Sequence, residues 1–402
     1  MKKIGLLFSI LFIFIIYHAW FSFGVSSSGD SGYYYPSVFN ERINFLYAWM
    51  PERGNGMGGI YYPLLWSGLG VALPLFLFGQ LFDSWSFIEK IAYYYPFLLV
   101  GFMSSFFLFQ KLFPKNNFSF LSPFIFLTNT YILMVIGGGQ LLIGLSYAIS
   151  PFIIWKSMHL INKILEKKYS FRKDIFSSVL LGLVFSIQVL LDVRLLYITI
   201  FAIILYSLLG LFLHRCYKQS LQLLFFIFLL PLCIVSLLHS FWILPTILTH
   251  QNPIQQLNIV SSTQTVQFLS FATLENTLGF LHPNWYENIF GKVSFMQPIF
   301  LLLPIFAYIS LLFLDKKNKD NRSYFENIYI IFFALLGLVG AFFAKGSMDP
   351  FGSIYLWLFI HFPGFNLFRD PTKWYLLIAL SYTVLIPYTI EKIYSVIKES
   401  KK

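Results

Sequence analysis

The stretch YYPLLWSGLGVALPLFLFGQLF, Tyr61 to Phe82, is long and apolar enough to cross a bilayer, yet it carries Pro63, Gly68, Gly70, Pro74 and Gly79. Proline removes a backbone donor and glycine loosens a helix, so residues of this kind oppose a regular transmembrane helix here. Whether the stretch crosses fixes the side on which every later loop falls. The basic residues arbitrate, because short loops rich in Lys and Arg stay cytoplasmic. If the stretch crosses, Lys163, Lys167, Lys168, Arg172 and Lys173 fall outside, opposite Lys2 and Lys3. If it is interfacial or re-entrant, those residues share one side with Lys111, Lys115, Arg215, Lys218, Lys316, Lys317, Lys319, Arg322, Lys398, Lys401 and Lys402. The second arrangement puts 20 of the 28 Lys and Arg residues inside and 8 outside, with 7 acidic residues inside and 10 outside. Both termini are then cytoplasmic.

Composition agrees with a membrane protein. Charged residues are 11% of the chain, against about 25% in soluble domains, while 57% are hydrophobic and 21% aromatic. The mean hydropathy is +0.71. A net charge of +11 raises nucleic-acid binding, but the cations sit in short clusters between apolar spans, where they orient helices and meet anionic lipid. Nucleic acid is therefore not an expected partner. Cys216 and Cys233 lie in or beside apolar spans without metal-ligand spacing, which argues against redox chemistry. The apolar stretch after Lys2 and Lys3 has spanning length and no Ala-x-Ala pattern behind it, so an uncleaved signal anchor is expected.

Apolar segments of crossing length lie near residues 4 to 23, 91 to 113, 118 to 136, 141 to 163, 175 to 191, 195 to 213, 221 to 248, 297 to 314, 324 to 344 and 373 to 394. The expected fold is an all-α polytopic membrane protein of about ten transmembrane helices, with interfacial or re-entrant helices in the first outer loop. It forms one membrane domain over residues 1 to 402: the anchor helix to 23, the outer loop from 24 to 90, the helical bundle from 91 to 394, and a cytoplasmic tail from 395.

This topology gathers the unusual polar residues on the outer face. Asp30, in Gly29-Asp30-Ser31-Gly32-Tyr33-Tyr34-Tyr35-Pro36, follows the first span, with Glu41 and Glu52 beyond it. A carboxylate beside a desolvating boundary can act as a base on an acceptor hydroxyl or help hold a metal; the alternative is a solvated loop Asp capping a helix near Pro36. Asp192 and Arg194 stand between two long apolar runs, either as a functional charge pair or as the polar turn joining two helices. Arg369 and Lys373 stand at the mouth of the last helix, where a guanidinium fork suits a phosphate and an ammonium adds charge. The alternative there is an Arg369 to Asp370 salt bridge with a snorkelling Lys373. Gln140 follows a triple glycine that permits a tight turn, and His282 lacks companions for a metal site, so loop packing is its favoured role.

Asp30 after the first helix, Trp66-Ser67-Gly68-Leu69-Gly70 in the first loop, and Pro363-Gly364-Phe365 leading to Phe368-Arg369-Asp370-Pro371-Thr372-Lys373-Trp374 together resemble the GT-C superfamily of membrane glycosyltransferases. Within it the chain looks most like the YfhO-like bacterial membrane proteins. The resemblance implies a helical bundle in the cytoplasmic membrane of a bacterium that takes a polyprenyl-phosphate-linked sugar from the lipid. The acceptor would be a cell-envelope glycan, lipid or protein. Carried over, Asp30 is the catalytic base, Arg369 and Lys373 bind the donor phosphate, and Glu41, Asp192, Arg194, Gln140 and His282 are supporting candidates. No Asp-x-Asp pair surrounds Asp30 and no metal ligands are assigned, so a divalent metal stays an open question as cofactor. Two other classes stand beside this expectation: a flippase or transporter of a lipid-linked glycan, and a non-catalytic cell-envelope assembly subunit.

Overall fold

A computed structural model describes residues 2–22, 24, 26, 49–50, 59–60, 74, 77–78, 84–214, 217–248, 262–281, 298–315 and 321–400. Asp30, Glu41, Glu52, His282 and the Trp66 to Gly70 motif lie outside the described residues, as does nearly all of Tyr61 to Phe82.

The architecture is helical. In chain order it comprises α1 (Lys2–Ile16), α2 (Trp85–Leu112), α3 (Leu121–Leu127), α4 (Thr130–Gly137), α5 (Leu141–Leu165), α6 (Phe171–Leu191), α7 (Val193–His214) and α8 (Ser220–Leu238). There follow α9 (Ser240–Leu248), α10 (Thr263–Leu269), α11 (Leu274–Leu278), α12 (Pro298–Phe313), α13 (Asn321–Ala344), α14 (Gly352–His361) and α15 (Tyr375–Ser400). Among the described residues, strand pairing is confined to Trp49 and Met50 against Ile60 and Gly59.

Among the described residues, seven helices are long and apolar enough to span a membrane: α2, α5, α6, α7, α8, α13, and α15 with the 3-10 turn before it. A multi-pass, all-α membrane protein is the fold. Three further segments that the sequence marks as crossings differ from a single long helix. The helix α1 rises only about 22 Å before a 3-10 turn at His18–Phe21 takes over. The helix α12 is 3-10 at both ends. The segment 118 to 136 is split by Asn129, whose Oδ1 caps α4 by accepting from Ile132 N at 3.1 Å. Asn129 Nδ2 donates to Phe126 O at 2.8 Å and to the Tyr147 hydroxyl at 3.0 Å, so the break keeps its polar groups satisfied inside protein.

Proline shapes two of the long helices. Pro96 and Pro231 cannot donate and would crowd the carbonyl four residues back, and each is preceded by a π turn, Lys90–Tyr94 and Leu224–Leu229. Widening the backbone there carries the helix past the ring without ending it.

Side-chain contacts fix how the helices run. Gly5 of α1 lies against Phe120, Phe12 packs on Phe124 at 5.1 Å, and the Tyr17 hydroxyl donates to Leu127 O, so α1 and α3 are parallel. Ser104 Oγ of α2 donates to Ala148 O of α5 at 2.6 Å, and Lys111 stands 6.0 Å from the Trp155 ring, so these two are parallel as well. Gln188 of α6 donates to Ser150 Oγ at 2.9 Å and Thr199 Oγ1 at 3.0 Å, joining α5, α6 and α7 near one end. At the other end Asn162 accepts from Tyr206 at 2.7 Å and donates to Tyr329 at 2.9 Å. In the centre stands α15, with every residue from Tyr375 to Thr389 buried. The described ends of the chain and the basic positions Lys111, Lys115, Lys163, Arg172 and Lys173 fall at one end of the bundle, and Gln140, Asp192, Lys345 and Asp370 at the other.

The residues just after α1 and those opening α2 meet at that second end. Ser26 N donates to Glu89 Oε1 at 2.5 Å, and Lys90 Nζ donates to Gly24 O at 2.8 Å and to Ser22 O. Ser22, Gly24 and Ser26 therefore lie at the same end of the bundle as the start of α2.

Candidate functional site

Two acids at the end of the bundle away from the basic loops are held by the same device. Asp192 follows α6 and precedes α7; its Oδ1 accepts from Arg194 N at 2.8 Å and Leu195 N at 3.2 Å, capping α7, while its Oδ2 takes Arg194 Nη2 at 2.6 Å. Asp370 precedes the 3-10 turn Pro371–Trp374; its Oδ1 accepts from Thr372 N at 3.0 Å and Thr372 Oγ1 at 2.6 Å, while its Oδ2 takes Lys373 Nζ at 2.6 Å. Each carboxylate thus accepts backbone N–H groups through Oδ1 and meets a cation through Oδ2, with Arg194 Nε 3.2 Å from both oxygens of Asp192. Burial alone raises a carboxyl pKa, but the Lys373 ammonium and the Thr372 hydrogen bonds hold Asp370 well below the usual carboxylate range.

The two pairs are neighbours. Arg194 is within electrostatic range of Asp370, and Tyr131 of both acids. Tyr131 stacks on Tyr375 at 5.4 Å, Tyr197 packs on Phe368 at 5.2 Å, and the Tyr355 hydroxyl donates to Phe368 O at 2.6 Å, so an aromatic wall encloses the charges. In the loop after α13, Gly346 takes the left-handed region at φ +62° and packs against Pro371 and Ser270.

The pairing differs from the salt bridge anticipated between Arg369 and Asp370. Asp370 pairs with Lys373 instead, because the 3-10 turn brings residue i+3 over residue i. Lys373 does not snorkel; its side chain is 3% exposed. Arg369 is half-exposed and makes no ion pair with any described residue. The other described cations at this end are engaged: Lys90 with the carbonyls of Ser22 and Gly24, Arg194 with Asp192, and buried Lys345 with Met348 O at 2.5 Å and the Phe342 ring at 4.8 Å. Burial pushes the Lys345 ammonium pKa down, with Asp349 opposing. Among the described residues at this end, Arg369 is the guanidinium without an ion pair, next in the chain to the neutralised Asp370.

Gln140 sits half-buried in the turn between α4 and α5, where Gly139 takes φ +81°, so the triple glycine serves the tight turn. Asp192 and Arg194 form both the polar turn and the charge pair that the sequence offered as alternatives. Asp30, Glu41 and His282 lie outside the described residues. Glu89 and Lys90 were not singled out, although adjacent opposite charges opening an apolar span carry the same signal as Asp192 and Arg194. Tyr131 had no signal, being one Tyr in a long apolar run. Among the described residues no group of three or more His, Cys, Asp or Glu side chains is placed to hold a metal ion.

No family model, no curated protein and no solved structure matches this chain.

Proposed function

We propose that the chain is a membrane glycosyltransferase that moves a sugar from a polyprenyl-phosphate donor to an acceptor on the outer face of a bacterial cytoplasmic membrane, with both termini cytoplasmic. The observation that carries this reading is Arg369, the outer cation left without an anionic partner among the described residues while Asp192 and Asp370 are already neutralised. A free guanidinium at the mouth of a membrane bundle suits a phosphate that gains charge as it leaves. In the proposed transfer the acceptor oxygen bonds to the anomeric carbon, the carbon–oxygen bond to the lipid phosphate breaks, and Asp30 takes the acceptor proton. Ser26 is tied to Glu89 at the end of the bundle that carries Arg369. Lys373 contributes by keeping Asp370 neutralised beside Arg369, so its part in holding the donor is indirect.

Membranes containing the protein and a radiolabelled polyprenyl-phosphate sugar provide the test. Arg369→Gln should lower transfer by about 10²- to 10³-fold, the cost of losing one preorganised charge stabiliser, and Asp30→Asn by a similar or larger factor. Unchanged transfer in Arg369→Gln removes the phosphate role. A flippase instead moves a fluorescent lipid-linked glycan across proteoliposomes without forming a new bond, and an assembly subunit tolerates both substitutions.

A further inference from the structure

A groove of about 190 Å³ opens between α5 and α6 in the half of the bundle nearer the basic loops, away from Asp192 and Asp370. Lys156, His159 and Lys163 of α5 line it at spacings of three and four residues, which stack them along one helix face. Phe176, Leu180 and Val184 of α6 form the facing apolar wall. Phe176 is 71% exposed and Leu180 38% exposed within a spanning helix, so this wall looks toward acyl chains.

The two lysines differ in their partners. Lys163 is paired with buried Asp174, whereas Lys156 makes no ion pair with any described residue. The Lys156 ammonium lies 4.6 Å from the Trp155 ring and 5.7 Å from the Phe152 ring, and Lys111 reaches the same Trp155 ring at 6.0 Å. A tryptophan between two lysines marks the headgroup level, where amphipathic rings and long cationic side chains meet water. An ammonium on a spanning helix without a carboxylate calls for an anion from outside the chain.

We infer that this groove binds an anionic phospholipid, with its phosphate at Lys156 and His159 and one acyl chain along Phe176, Leu180 and Val184. The charge pattern selects the headgroup. A zwitterionic choline lipid brings a second cation toward Lys156 and Lys163, whereas a phosphatidylglycerol brings only negative charge. The site is separate from the proposed sugar-transfer site and stands without it.

Native mass spectrometry of the full-length protein, released from detergent micelles with phosphatidylglycerol or phosphatidylcholine added, tests the assignment. The expected result is one phosphatidylglycerol retained in preference to phosphatidylcholine. Retention should weaken about fivefold in Lys156→Gln, the effect of one interfacial cation, and persist in Lys156→Arg. Leu180→Trp, which fills the groove and leaves both lysines in place, should also weaken it and covers the case in which the charge variant fails to fold. Equal retention of the two lipids, or wild-type phosphatidylglycerol retention in both Lys156→Gln and Leu180→Trp, overturns the assignment.

Discussion

At the scale of single residues, the polar end of the bundle is governed by which cation meets which acid. Lys373 is nearly inaccessible and Asp370 is 15% exposed, so removing one partner strands the other in a poorly solvated setting. Lys373→Met should destabilise the protein by about 3 kcal/mol, read as a lower melting temperature in detergent, and the double change Asp370→Asn with Lys373→Met should recover most of that loss. If the double variant also keeps sugar transfer, Lys373 acts on structure and not on the donor. The pair has a pH signature. A carboxyl held below its unfolded value, near 4, contributes stability above that value and loses it as pH falls through the folded value. The melting temperature should therefore show no loss from this pair between pH 8 and 5 and a fall below about pH 4, with a shallower acid fall in the double variant. The sequence placed Arg369, Asp370 and Lys373 together at the mouth of the last helix, but the pairing depended on a 3-10 turn that no composition signal announced.

At the scale of elements, close approach of helices rests on missing side chains. A Cβ added at Gly340 of α13 would lie 2.7 Å from Leu377 Cβ of α15, and one at Gly337 would lie 2.5 Å from Ser381 Oγ. With no hydrophobic drive between helices in lipid, such contact comes from small residues. Gly340→Ala should destabilise by about 1–3 kcal/mol through overpacking, while Leu338→Ala, at a position 50% exposed, should change stability little; equal effects in a thermal melt would remove the contact from consideration. Apolar length located the seven spanning helices well. It did not locate the interruption at Asn129, where a side chain captures backbone groups, or the π turns that carry α2 and α8 past Pro96 and Pro231.

At the scale of the whole molecule, the bundle has a basic end and an end where acids and cations are paired. Ser84 opens α2 at the second end and Ser170 opens α6 at the first, and both are exposed. In a variant lacking Cys216 and Cys233, a cysteine at position 84 should react with a membrane-impermeant maleimide on intact cells, and one at position 170 only after permeabilisation. The reverse pattern inverts the proposed orientation and moves Arg369 to the cytoplasmic face.

The sequence by itself determined that this chain is a multi-pass helical membrane protein, because hydrophobic length is a property of the chain alone. It also marked Asp192, Arg194 and Arg369 as unusual, since charges beside long apolar runs are costly wherever the chain folds. Only the tertiary structure decided that Ser26 meets Glu89, that Lys373 neutralises Asp370, and that Arg369 has no anionic partner among the described residues. Those outcomes depend on contacts between segments tens or hundreds of residues apart, and spacing along the chain does not encode the turn geometry that selects one partner over another.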